Sequence, residues 1–180
     1  MAKPKVASDW LAGCAGCHMS FLDIDERIVK LVELVDLRAT PITDFKDPDE
    51  SGVVVGILEG GINNTTNERV AKQMRERSQI LVALGDCAVF GGVPAMRNFF
   101  TLEETLRRAY VETPSTDSSG KIPTSPELGV PTRVRAISEV VKVDVFIPGC
   151  PPDADIIFFA LSELAQGRIP KLENNNLMWN

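Results

Sequence analysis

The sequence predicts an α/β protein whose core is a doubly wound parallel sheet. Three apolar runs carry that prediction: VVVGIL (53–58), ILVAL (80–84) and VDVFI (143–147). They are short, rich in β-branched residues and lack polar alternation, as strands covered on both faces of a parallel sheet do. Segments with helical periodicity alternate with them, which implies right-handed crossovers and helices on both sides. A chain of 180 residues suffices for one domain with a sizeable core and is short for two.

The remaining elements follow in order. KVASDWL (5–11) is a weaker first strand. Phe21, Ile24, Ile28, Leu31 and Val35 recur at three- and four-residue steps, which predicts a helix with one apolar stripe. LRATPI (37–42) is expected at an edge, because Pro41 cannot donate to a ladder. Residues 65–78 form a more polar helix with Val70, Ala71 and Met74 inward. Thr101 with Glu104 fits a capping box that opens a helix through Val111. Asp153 can cap a final helix ending near Gly167. Within this single domain (1–180), about 112–131 is a Pro-, Ser- and Gly-rich irregular loop. The tail, about 168–180, has no periodicity yet ends in Leu177, Met178 and Trp179.

Composition narrows the function. A net charge of −6 and a pI near 4.9 argue against nucleic-acid binding. The densest basic group, Arg75 and Arg77, is balanced by Glu76 and reads as a solvated helix face. The N-terminus has no signal-peptide core, and no window approaches the roughly 18 apolar residues that span a bilayer. A cytoplasmic protein without a membrane span is expected. Thiols stay reduced there, so the four cysteines read as ligands or redox groups rather than disulfides.

Their placement is the informative feature. Cys14 and Cys17, spaced C-x-x-C, follow the first strand; LEGG (58–61) follows the strand at 53; Cys87 and Cys150 end LGDC and PGC after the strands at 80 and 143. Loops after strand C-termini share one edge of an open parallel sheet, where ligands bind. The four thiols should therefore converge. Four thiolates suit Zn²⁺ or an iron–sulfur cluster. Structural zinc modules usually carry two close cysteine pairs, whereas this chain has one pair and two singletons. Gly13, Gly16, Gly85 and Gly149 lie near the ligands, where backbone N–H groups can approach a buried polyanion. Pro151 and Pro152 resemble the Cys-Pro turn beside many clusters. These features favour [4Fe–4S] over a zinc-stabilised interaction domain. A thioredoxin-type C-x-x-C would leave two cysteines idle, and GCAGCHMS occupies the loop a flavin phosphate would need.

LAGCAGCHMSFLDIDE, LEGGIN, ALGDCAVFGGVPA and PGCPP together resemble the small subunit of [NiFe]-hydrogenases, above all the cytoplasmic NAD-reducing (bidirectional) type. The resemblance spans nearly the whole chain in the right order. It implies a flavodoxin-like domain with one proximal [4Fe–4S] cluster on Cys14, Cys17, Cys87 and Cys150. It also implies a large subunit bearing the Ni–Fe centre, and diaphorase subunits carrying FMN and further Fe–S clusters. The implied role is electron relay in H2 + NAD+ = H+ + NADH, with no catalytic residue on this chain. No cysteine follows Cys150, so a single cluster is expected, and the lack of a twin-arginine leader fits the cytoplasmic subgroup. The rival readings are the cluster subunit of NADH:quinone oxidoreductase, which typically has adjacent cysteines where this chain has C-A-G-C, and another cytoplasmic hydrogenase complex.

Secondary candidates remain open. Glu59 could lie on a proton path or meet the partner subunit, or simply bond local N–H groups. His18 could modulate the cluster or touch the large subunit; an interfacial or solvated side chain is the plainer reading. Asp23, Asp25 and Glu26 read as first-turn helix charges. Trp10 is expected to shield the cluster loop, and Phe90, Phe99 and Phe100 to pack or meet a partner. Gly91 and Gly92 permit close backbone approach.

Overall fold

The structure is a computed structural model describing residues 3–48, 50–125 and 127–173. Five parallel strands form the central sheet: β1 (Lys5–Trp10), β2 (Asp36–Ala39), β3 (Val53–Glu59), β5 (Ser78–Leu84) and β7 (Val145–Ile147), in the spatial order β2-β1-β3-β5-β7. Counting only these strands, the order is 2-1-3-4-5, the flavodoxin-like arrangement. A separate antiparallel pair joins β4 (Ile62–Asn64) to β6 (Pro131–Arg135).

Alternation along each strand sends side chains to two cores. Val6, Val55, Ile57, Val82, Leu84 and Ile147 face one side with α1 (Gly16–Leu22), α2 (Arg27–Leu34) and α6 (Ala154–Ala165). Ala7, Leu58, Leu81 and Ala83 face the other, against Ala71 and Met74 of α3 (Thr65–Arg77). A side chain on Gly56 would meet Ser78 Oγ at 2.1 Å and Met74 Sδ at 2.9 Å. Glycine there lets α3 seat tightly on β3.

Caps set the helix starts. Asn64 accepts the Asn67 N–H at 2.8 Å for α3, and Asp153 accepts the Asp155 N–H at 2.7 Å for α6. Thr101 and Glu104 close a capping box on α5 (Leu102–Tyr110).

The differences from the expected elements have local causes. The apolar stripe from Phe21 to Val35 does face one core, but two helices carry it. The chain breaks between them at Asp25, whose φ is 61°. Asp23 and Glu26 flank that break as the C-cap of α1 and N-cap of α2, so the acidic trio is not a first turn. β2 is an edge strand but stops at Ala39, ahead of Pro41. β7 begins only at Val145, because the Asp144 carboxylate accepts the Leu81 N–H at 2.9 Å in place of strand backbone. Residues 112–130 hold no helix or strand among the described positions, and β6 begins at Pro131. The tail is described only to Glu173, where Leu172 packs on the first core. Leu177, Met178 and Trp179 lie outside the described residues. Among the described residues, no helix is long and apolar enough to cross a membrane.

Candidate functional site

The strand order places β1, β3, β5 and β7 side by side, so their C-terminal loops form one continuous edge. Pairing continues past the strands. Leu11 donates its N–H to the Glu59 carbonyl at 2.7 Å, and Ala12 exchanges bonds with Gly61 at 2.9 and 2.8 Å. This ties the loop carrying Cys14 and Cys17 to the LEGG turn. Gly60, with φ 87°, permits it: a Cβ there would lie 2.9–3.0 Å from the Leu11 and Ala12 backbone.

The loops of Cys87 and Cys150 are tied in the same way. Gly85 donates to the Ile147 carbonyl at 2.7 Å, Asp86 donates to the Gly149 carbonyl at 2.8 Å, and the Asp86 carboxylate accepts the Gly149 N–H at 2.7 Å. Ser20 of α1 donates to the Pro152 carbonyl, which closes the circuit between the first and last loops. Cys87 opens α4 (Asp86–Phe90), and a 3-10 turn over Val93–Phe99 follows.

The four thiols are close enough to act on one another. Burial pushes the Cys17 thiol far up, and the Glu59 charge, Cys87, Cys14 and Cys150 add to the shift in that order. Burial also raises Cys87, helped by Cys150, while the Val93 N–H bonded to its sulfur works against the rise. Four thiolates gathered here would repel one another, so the deprotonated set needs a cationic core between them. Glycine shapes the space they surround. A Cβ on Gly85 would stand 2.2 Å from Cys17 Sγ, and one on Gly92 would press the Cys87 backbone and sulfur at 2.9–3.0 Å. Cys17 is buried, Cys87 intermediate, and Cys14 and Cys150 exposed. Among the described residues, no three His, Cys, Asp or Glu side chains gather tightly enough to hold one metal ion.

Glu59 is only 2% exposed, and both its oxygens are engaged. They accept the N–H groups of Cys17 at 3.3 Å and His18 at 2.9 Å, at the start of α1. This matters because Ala15, the N-cap, supplies no side-chain bond. The same carboxylate meets His18 Nδ1, and Nε2 of that ring lies 3.1 Å from Ser8 Oγ. His18 is thus buried and held between Ser8 and Glu59, not solvated. Trp10 sets its ring edge-on to His18, centroids 5.7 Å apart, and is itself exposed. Phe90, Val93, Met96, Phe99 and Phe100, on and after α4, are all exposed.

Known proteins resemble this chain over most of its length. Residues 14–164 match the family described as NADH ubiquinone oxidoreductase, 20 Kd subunit. The NAD-reducing hydrogenase HoxS subunit delta of Cupriavidus necator is 45% identical over 92% of this chain and 80% of its own length. A crystal structure of an NAD+-reducing [NiFe]-hydrogenase in the H2-reduced state aligns at TM-score 0.94 and 38% identity, covering 99% of this chain and 100% of that one. The chain belongs to this family, as a hydrogenase small subunit of the NAD-reducing type. The F420-non-reducing hydrogenase of Methanothermobacter thermautotrophicus has a chain that is 36% identical over 97% of this one, which spans 58% of that protein. A [NiFeSe]-hydrogenase from Dm. baculatum shares the fold, at TM-score 0.58 and 18% identity, over 98% of this chain and 69% of its own.

In this small subunit the structure brings Cys14, Cys17, Cys87 and Cys150 to one edge, with Glu59 and His18 beneath Cys17. Asp86, Ser8 and Ser20 complete the site's hydrogen bonds and were missed as site residues from the sequence. Asp86 could have been suspected from its place between Gly85 and Cys87. Nothing in the pattern of β1 marks Ser8.

Proposed function

We propose that this small subunit holds one [4Fe–4S] cluster on Cys14, Cys17, Cys87 and Cys150, and relays electrons from the Ni–Fe centre of a large subunit toward NAD. The observation that carries the reading is the convergence of the four cysteine loops along one sheet edge. Burial comes first, and Cys87, Cys14 and Cys150 each push the Cys17 thiol up further, as Cys150 and Cys14 do to Cys87. The donor set, the close glycines and the Val93 N–H on Cys87 fit such a cluster. When bound, it supplies a one-electron carrier between a two-electron donor and the next acceptor.

The chain's own residues do the rest. Glu59 and His18 fix the first turn of α1 and so aim Cys17. We assign them positioning roles rather than a proton path. Asp86 locks the Cys87 loop to the Cys150 loop. Val93 donates to the Cys87 sulfur and moderates its charge. Exposed Cys14 and Cys150, with the apolar side chains of Phe90, Val93 and Phe99, form the face on which the large subunit would exclude water. Further partners carrying FMN and additional clusters complete the path to NAD, in a cytoplasmic complex in which this chain acts as a single cluster domain.

Hydrogen-dependent NAD reduction by the purified complex tests the function. The expected result is NADH formation under hydrogen, lost when Cys87→Ser is introduced. Quinone reduction from NADH without hydrogen turnover would place the chain in the respiratory enzyme instead.

A further inference from the structure

A void lies between the sheet and the helices α1 and α2. Its volume is about 160 Å³, and it is walled by Val6, Ile28, Leu31 and Val35 among others. Few polar groups stand on its wall, and the side chains of Ser8, His18, Thr40 and Thr43 are already partnered: Ser8 with His18, His18 with Glu59, and Thr40 with Thr43. Among the described residues, the buried polar side-chain atoms without a partner are Asn63 Oδ1 and Ser162 Oγ, and neither residue lines this void. A water molecule needs two to four polar partners, and this wall offers few. An apolar cavity of about 150 Å³ stays dry and takes up benzene or xenon.

The void is reachable from solvent. Trp10, Met19, Leu22, Leu37 and Ile42 line it and are exposed, so its mouth is apolar as well. A guest entering there meets a wall that is almost wholly apolar. It ends close to His18 and Trp10, directly behind the loop of Cys17.

We propose that this void is a binding site for small, uncharged apolar molecules, the size of a gas atom or of a benzene ring, separate from the cysteine edge. Binding replaces empty space by dispersion contacts and needs no polar recognition. Nothing in it depends on the cluster, so its failure would leave the proposed relay intact.

Crystals of the complete hydrogenase complex under xenon pressure give the test. The expected result is an anomalous xenon peak among Val6, Leu31 and Val35. Val6→Phe should remove the peak by filling the space, and Leu31→Ala should strengthen it by enlarging the space. If Val6→Phe does not fold, the wild-type peak and its growth in Leu31→Ala still decide the matter. Benzene should also raise the melting temperature of the wild-type complex and not of Val6→Phe. Ordered water in the void, a partner's side chain standing in it, or no xenon there would each overturn the proposal.

Discussion

The two halves of the cysteine edge are built differently. Around Cys17 the groups that hold it are buried and bonded within the chain: Glu59 holds the start of α1, His18 bridges Glu59 to Ser8, and Ile24 and Leu84 pack in the same core. Around Cys14 and Cys150 the thiols are exposed, and the neighbouring turn after Cys87 presents Phe90, Met96 and Phe99 to solvent. The difference teaches a division of labour. The inner half is organised by folding alone, while the outer half stays open to solvent.

The largest expected effect breaks the inner half. Glu59→Ala would leave the Cys17 and His18 amides and a ring nitrogen buried without an acceptor. We expect a loss of about 3 kcal/mol or more in urea unfolding of the cluster-free chain. Glu59→Gln keeps an acceptor oxygen and should lose less than half as much. Equal stability of wild type and Glu59→Ala would show that the inner half is not preorganised by this carboxylate.

Gly85→Ala comes next. Its Cβ would fall 2.2 Å from Cys17 Sγ at a φ of 83°, so clash and backbone strain combine. About 2–3 kcal/mol of destabilisation is expected. Gly167→Ala is the control: its φ of 75° is similar, but nothing lies within 4 Å. That change should cost only about 1 kcal/mol. If the two variants unfold alike, the close approach to Cys17 has no energetic weight.

The outer half should respond the opposite way. Phe99→Ser alters a side chain 85% exposed, so the chain's own stability should move by less than about 0.5 kcal/mol. Association with the large subunit should weaken about tenfold, or about 1.4 kcal/mol, by titration of the two subunits. Unchanged affinity would remove this face from the interface.

The smallest effect lies at the far end of the sheet. Burial pushes the Asp144 carboxyl up, but bonds from the Leu81 N–H, Arg75 and Lys142 outweigh it and hold it below its ordinary 3.8. The unfolded chain therefore takes up the proton first as pH falls. The stabilisation is complete above about pH 4 and is lost on acidification through the lowered value. Asp144 is largely screened, so less than about 1 kcal/mol is at stake. Asp144→Asn should flatten the acid limb of the stability profile; an unchanged limb would contradict the assignment.

Much of this was legible in the sequence, for physical reasons. Strands buried on both faces must be continuously apolar, so 53–58 and 80–84 announced themselves. Parallel topology then forced the loops of Cys14, Cys17, Cys87 and Cys150 to one edge. The break at Asp25 was not legible, because the apolar stripe keeps its period across it while φ changes sign at one residue. The pairing of β4 with β6 was hidden too. INN and PTRVR are short and polar, and their ladder depends on partners far apart in sequence. The burial of His18 likewise arises from Ser8 and Glu59, which reach it from neighbouring strands.

The most direct test of the central claim is iron and acid-labile sulfide analysis of the purified chain, with low-temperature EPR after reduction. The account predicts about four irons and four sulfides per chain and a single reduced-cluster signal, lost in Cys→Ser variants at 14, 17, 87 or 150. Stoichiometric zinc without sulfide, or a full signal surviving any one of those replacements, would contradict it.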